Sequence, residues 1–288
     1  MRRTSVTCRG VLRLVAPAML RATVFGMAML FAACAPLAEH APLSTGASPP
    51  ERAPQTSENA PARFPSADYE IARKRGDDVY AVDPAQSLVT VIVHRGGKLA
   101  RLGHDHVVAS RDVRGLVDVT AGRADLYARL DRMSVDEPEL RRAAHFATQP
   151  SAADIAGTRT NMLERVLHVE RYPFVEVAVR GADALSAIDT AEMAAATPAA
   201  TPAATDMRVS ITLNGLTREV PVQIAVDRHG EVVEASGSFS IEQTDFGLVP
   251  MSLFGGAITV ENRLDLHFDV RGRREAAPTA AAAHRRSG

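Results

Sequence analysis

The chain has 288 residues, 46% of them hydrophobic, with 33 basic and 34 acidic residues and a formal charge of −1. That balance excludes nucleic acid or an acidic partner recruited by bulk charge, and with no tryptophan and few other aromatics there is no stacking platform for bases or sugars. Both ends are too poor in apolar periodicity to fold, so one domain of about 200 residues is expected.

The N-terminus is basic through Arg2, Arg3, Arg9, Arg13 and Arg21, and an uncharged run follows at residues 22–33. A charged region, a short apolar region and small residues before a cut describe a secretory signal. Leu30-Phe31-Ala32-Ala33-Cys34 resembles the bacterial lipobox, with Phe31 where the pattern prefers Leu. It predicts a signal peptide over residues 1–34 whose Cys34 is lipidated. The alternative is an uncleaved anchor over residues 22–38, but that stretch contains Pro36 and stands at the bottom of the spanning range of roughly 17–25 residues. Met19 would start a more compact signal. Cys8 falls in the removed part, so Cys34 is the sole mature cysteine and no internal disulfide can form.

Residues 35–78 read as a disordered linker, with seven prolines from Pro36 to Pro65 and almost no apolar periodicity. The folded domain is expected over residues 79–272. Strands are predicted at residues 88–94, 113–119, 125–135, 174–180, 207–213, 219–226, 232–241 and 258–270. Asn214-Gly215 marks a hairpin, because both residues accept positive φ. The last strand is the clearest. Ile258, Val260, Leu264, Leu266, Phe268 and Val270 fall on one side, interrupted only by Asn262, and polar residues fill the other. Period-two alternation over such a length suits a strongly bent antiparallel sheet or a barrel with an apolar interior. One stretch has helical spacing: Met162/Val166 and Leu163/Leu167 are i, i+4 pairs. Ser151 with Asp154 caps its start, and it ends near His168, before Arg171-Tyr172-Pro173. Residues 191–205, with a repeated Thr-Pro-Ala-Ala unit, read as a low-complexity loop insertion, and residues 273–288 as a disordered tail.

Four segments then match a known order. They are Val82-Asp83-Pro84-Ala85-Gln86-Ser87-Leu88-Val89; Met162-Leu163-Glu164-Arg165-Val166-Leu167 with Arg171-Tyr172-Pro173-Phe174; Leu213-Asn214-Gly215-Leu216-Thr217-Arg218-Glu219-Val220; and Thr244-Asp245-Phe246-Gly247. Together they resemble the YceI-like polyisoprenoid-binding family over residues 80–272. The resemblance implies an all-β, lipocalin-like antiparallel β-barrel with one or two short helices. It further implies a long apolar cavity holding a polyisoprenoid or similar amphiphile. Two segments depart from the family pattern. His145-Phe146-Ala147-Thr148 stands where an Asp-Phe-Phe-Asp type segment is usual, and Gln243 stands where a basic residue is often found.

The apolar candidates for the cavity are Ile92, Leu102, Met162, Phe174, Phe239, Phe246, Leu253, Phe254 and Leu266. Their side chains suit a solid core equally well, and the resemblance favours the cavity. Lys98 and Arg101 are the candidates to meet an anionic headgroup. In Gly103-His104-Asp105-His106, an extended backbone puts His104 and His106 on one face, where they could chelate a metal with His94 or His145 as third ligand. Gly247, Gly255 and Gly256 would bend or bulge strands. No nucleophile motif, phosphate loop or Cys-x-x-Cys is present, so a non-enzymatic carrier with no required cofactor is expected. Its partners would be a long-chain apolar lipid and, through its anchor, the membrane of the bacterial envelope. Two alternatives remain: a metal-binding protein or metal-dependent enzyme built on His104 and His106, and a ligand-free envelope interaction module.

Overall fold

The structure, a computed structural model, describes residues 60–181 and 204–275. The readings of the signal segment with Cys34, of the linker up to residue 59, of the insertion up to residue 203 and of the tail beyond residue 275 lie outside those residues.

Among the described residues, strands β1 (Val79–Val82), β2 (Leu88–Gly96), β3 (His106–Ser110), β4 (Arg114–Asp118), β5 (Arg123–Arg129), β6 (Ser134–Val135), β7 (Phe174–Arg180), β8 (Thr205–Leu213), β9 (Leu216–His229), β10 (Val232–Glu242), β11 (Ser252–Leu253) and β12 (Ile258–Arg274) form one antiparallel sheet. Eight of them close on themselves in the order β1-β4-β5-β7-β8-β9-β10-β12, the ring sealed by Tyr80 opposite Arg274 and Val82 opposite Gly272. The predicted barrel is therefore present. Strand β2 continues β1 along the same neighbour, β12, after a bend at the 3₁₀ turn Pro84–Gln86. Asp83 caps that turn by accepting from the Ala85 N–H at 3.0 Å. Strands β3 and β6 extend the wall beyond β2 and end at a free edge.

The interruption of the apolar row at Asn262 has a local cause. Between Val260 and Leu264 the ladder to β2 slips, so that β12 advances four residues while its partner advances from Arg95 to Val93. The bulge frees Asn262, whose amide donates to Thr244 Oγ1 at 2.8 Å and accepts from the Thr244 N–H at 3.1 Å. The Asn214-Gly215 hairpin is also as predicted, with φ values of 51° and 75°. A Cβ on Gly215 would stand 2.7 Å from the Tyr172 ring, so only glycine fits that turn.

Three helices accompany the sheet: α1 (Ser66–Arg75), α2 (Pro138–Ala143) and α3 (Ala152–Asn161). Helix α3 has the predicted capping box, Ser151 and Asp154 bonding each other's backbone N–H. It runs on into a π turn, Met162–Val166. Helix α1 corrects the linker reading at residues 66–75. Its Tyr69 and Ala72 are buried, and the Tyr69 hydroxyl donates to Asp125 Oδ2 at 2.7 Å. Burial first, then that hydrogen bond, pushes the hydroxyl pKa up. The strand predicted at residues 125–135 is broken by a 3₁₀ turn, Leu130–Arg132, and β1 and β3 were not foreseen. Gly247, Gly255 and Gly256 bulge no strand; with positive φ they serve the 3₁₀ turns Gln243–Phe246 and Phe254–Gly256.

Candidate functional site

The barrel encloses a cavity of about 760 Å³, within the usual range for a small-molecule site. Alternation along each strand decides which side chains reach it. Val89, Val91 and Val93 do so from β2, and Val175, Val177 and Val179 from β7. From β12 the whole predicted apolar row faces inward, Ile258 through Val270.

Six of the nine proposed cavity residues stand on its wall: Leu102, Met162, Phe239, Leu253, Phe254 and Leu266. Three do not. Ile92 has the opposite parity to the valines of β2 and faces outward beside Val107 and Phe146. Phe174 is likewise out of phase with Val175, and its ring packs edge-on to Tyr127 at 6.0 Å. Phe246 is inside but not on the cavity. It is 1% exposed and belongs to the buried cluster of the barrel interior, whose members Leu213, Val222 and Ile241 do line the cavity.

Six polar lining residues, Arg95, His104, His106, Asp154, Thr158 and Asn161, stand at one end, which we call the mouth, while Ser110 lines the wall farther along, opposite Val89. Histidines 104 and 106 do share a face, with ring centroids 6.3 Å apart. Behind them lies a network that no local pattern announced. His106 Nδ1 is 2.6 Å from Asp136 Oδ2, and the other oxygen of Asp136 accepts from the Val107 N–H at 3.0 Å and from Arg141 at 2.6 Å. Arg141, on α2, also donates to the Asp105 carbonyl at 2.7 Å. The Asp136 side chain is fully buried, on a residue with φ 58°. Burial alone would raise its pKa, but the hydrogen bonds from His106, Val107 and Arg141 together outweigh that and hold it below the usual carboxylate value. An ionised Asp136 accepts from Nδ1–H of His106 and fixes the orientation of its ring, which lines the cavity. His104 Nδ1 is buried and has no partner among the described residues.

The metal set proposed from the sequence is not brought together. His94 lies on the outer face of β2, its Nδ1 3.5 Å from Asp105, and His145 follows α2 at φ 56°. Among the described residues no three His, Cys, Asp or Glu side chains are placed to hold a metal. Lys98 and Arg101 are exposed at the mouth, on the loop that contains the 3₁₀ turn Ala100–Leu102. No helix among the described residues is long and apolar enough to cross a membrane.

Comparison with known proteins gives a family and, among solved structures, distant likenesses. A polyisoprenoid binding domain from Saccharophagus degradans, implicated in plant cell wall breakdown, is 13% identical; 68% of this chain and 98% of that one align, with a TM-score of 0.45. Burkholderia cenocepacia BcnA is 12% identical over 66% of this chain and 98% of its own, with a TM-score of 0.41. No curated protein matches. The family model of the YceI-like domain matches residues 80–271, about two thirds of the sequence and all of the barrel but its outermost residues, and the chain belongs to that family.

Proposed function

We propose that the protein binds a long apolar lipid, a polyisoprenoid or a similar amphiphile, with its chain in the barrel and its polar head at the mouth beside His104 and His106. One observation carries this reading: a cavity of about 760 Å³ walled by aliphatic rows, whose polar lining is concentrated at one end. A cavity of that size with aliphatic walls suits an apolar chain, and the polar group at its mouth suits a head. The protein acts as a binder or carrier, and it does so in the bacterial envelope as an exported lipoprotein anchored through Cys34. The test is mass spectrometry of organic extracts from natively purified protein. A long-chain isoprenoid at near one equivalent is expected; a preparation free of lipid but holding stoichiometric metal would replace this reading with the metal-binding one.

The address is tested separately. Cys34→Ser should abolish acylation and release the protein from the membrane fraction or leave it unprocessed. A correctly cleaved Ser variant that still partitions with membranes would refute the lipid anchor.

A further inference from the structure

Two loops frame the mouth. Residues 97–105 connect β2 to β3, and residues 247–257 connect the turn Gln243–Phe246 to β12. They are joined to each other: the Leu99 N–H donates to the Ala257 carbonyl at 2.8 Å, and a Cβ on Gly97 would meet that same carbonyl oxygen at 2.6 Å. Of the six exposed large hydrophobic side chains among the described residues, four lie on these loops: Leu102 at 61%, Val249 at 76%, Leu253 at 45% and Phe254 at 80% exposure. Phe254 is held at φ 51°, a conformation that non-glycine residues seldom adopt, with its ring in solvent. Unpaired charge on the loops is one-sided. Lys98 and Arg101 are exposed and have no ion-pair partner among the described residues, the first loop's one carboxylate, Asp105, is taken up by Arg95, and the second loop has no ionised side chain, the exposed Asp245 standing in the turn before it. Glu261 stands beside Gly96, below the rim.

From this rim we infer that the mouth docks on an anionic lipid bilayer, Leu102, Val249, Leu253 and Phe254 entering the interface and Lys98 and Arg101 meeting acidic headgroups. Large apolar side chains clustered on a soluble surface mark an interaction site, and cations beside an apolar patch suit the negative surface of a membrane. A neutral protein groove would satisfy the apolar residues but leave the two cations unanswered. The inference goes beyond lipid binding and rests on the surface alone; the carrier reading gives it a purpose, since the same loops line the cavity.

The chain has no tryptophan, so Phe254→Trp creates a single reporter in the full-length protein. Ile71→Trp is the control, on an exposed side chain of α1 at the opposite end of the barrel. With phosphatidylglycerol vesicles bearing brominated acyl chains, the position 254 reporter should shift to the blue and be quenched, and the position 71 reporter should not. Lys98→Ala with Arg101→Ala should weaken that response roughly thirtyfold in lipid concentration, the effect of two basic residues near the surface. No quenching at position 254, or equal quenching at both positions, overturns the inference. So does a blue shift without vesicles that tracks dimer formation by light scattering, which would assign the rim to a second copy. The lipid content of the same protein is read independently by mass spectrometry. A loaded protein that fails to insert sinks only the docking surface, and one that inserts without cargo sinks only the carrier reading.

Discussion

Replacing Asp136 with Ala should lower the stability of the domain by about 3–5 kcal/mol, the usual effect of removing one member of a buried ion pair. Arg141 is 3% exposed and would lose its only carboxylate partner while still held by the carbonyls of Asp105 and Thr148. For a domain of this size the loss corresponds to a fall in Tm on the order of 10 °C, measurable by circular dichroism. The effect depends on pH with a definite sign. The folded-state pKa of Asp136 is depressed, so its contribution is complete above the ordinary carboxylate value of about 3.9 and is lost as pH falls through the lower folded value. Asp136→Asn should therefore lie well below wild type at neutral pH and converge with it in acid. A gap that persists unchanged at acidic pH would mean that the charge of Asp136 is not what holds the network.

The second large effect separates solid core from cavity. Phe246→Asp should abolish folding, because a side chain that is 1% exposed and off the cavity wall gives a carboxylate neither a partner nor water. Leu266→Asp should be the milder change, since its side chain lines the cavity and is only partly buried, so the protein should fold, but it should retain no apolar ligand. Circular dichroism and lipid extraction on the two variants check both halves. A folded Phe246→Asp protein would place that residue on the cavity after all. A Leu266→Asp protein that keeps its lipid would move the ligand elsewhere.

The sequence reading succeeded where one face of an element is polar. In β12 the alternation leaves a single way to place the apolar row, and the row lines the cavity. In β2 both faces are apolar, so Ile92 and the valines compete for the interior and parity cannot be read locally. The valines point inward and Ile92 is covered from outside by Val107 and Phe146. Phe174 and Phe246 were assigned by size and position, yet one is out of phase with its strand and the other sits in a 3₁₀ turn plugged into the core. Helix α1 buries only Tyr69 and Ala72, too little apolar content to stand out from a linker. At the mouth, the shared face of His104 and His106 follows from their spacing. Their support does not: Asp136 reaches His106 only through tertiary contact, from 30 residues along the chain, and Arg141 acts on it through Asp136.

The container wall has one part of a different kind. Beyond the edge strand β6 the lining passes to α3 and its π turn, through Gly157, Asn161, Met162 and Val166. Helix α3 buries none of its residues, and the π turn buries only Leu163, whereas each of the eight ring strands is paired on both sides. A segment with so little burial opens at a small fraction of the global unfolding free energy. The residence time of a guest is then set by this one panel rather than by the sheet, and dissociation need not wait for the barrel to come apart.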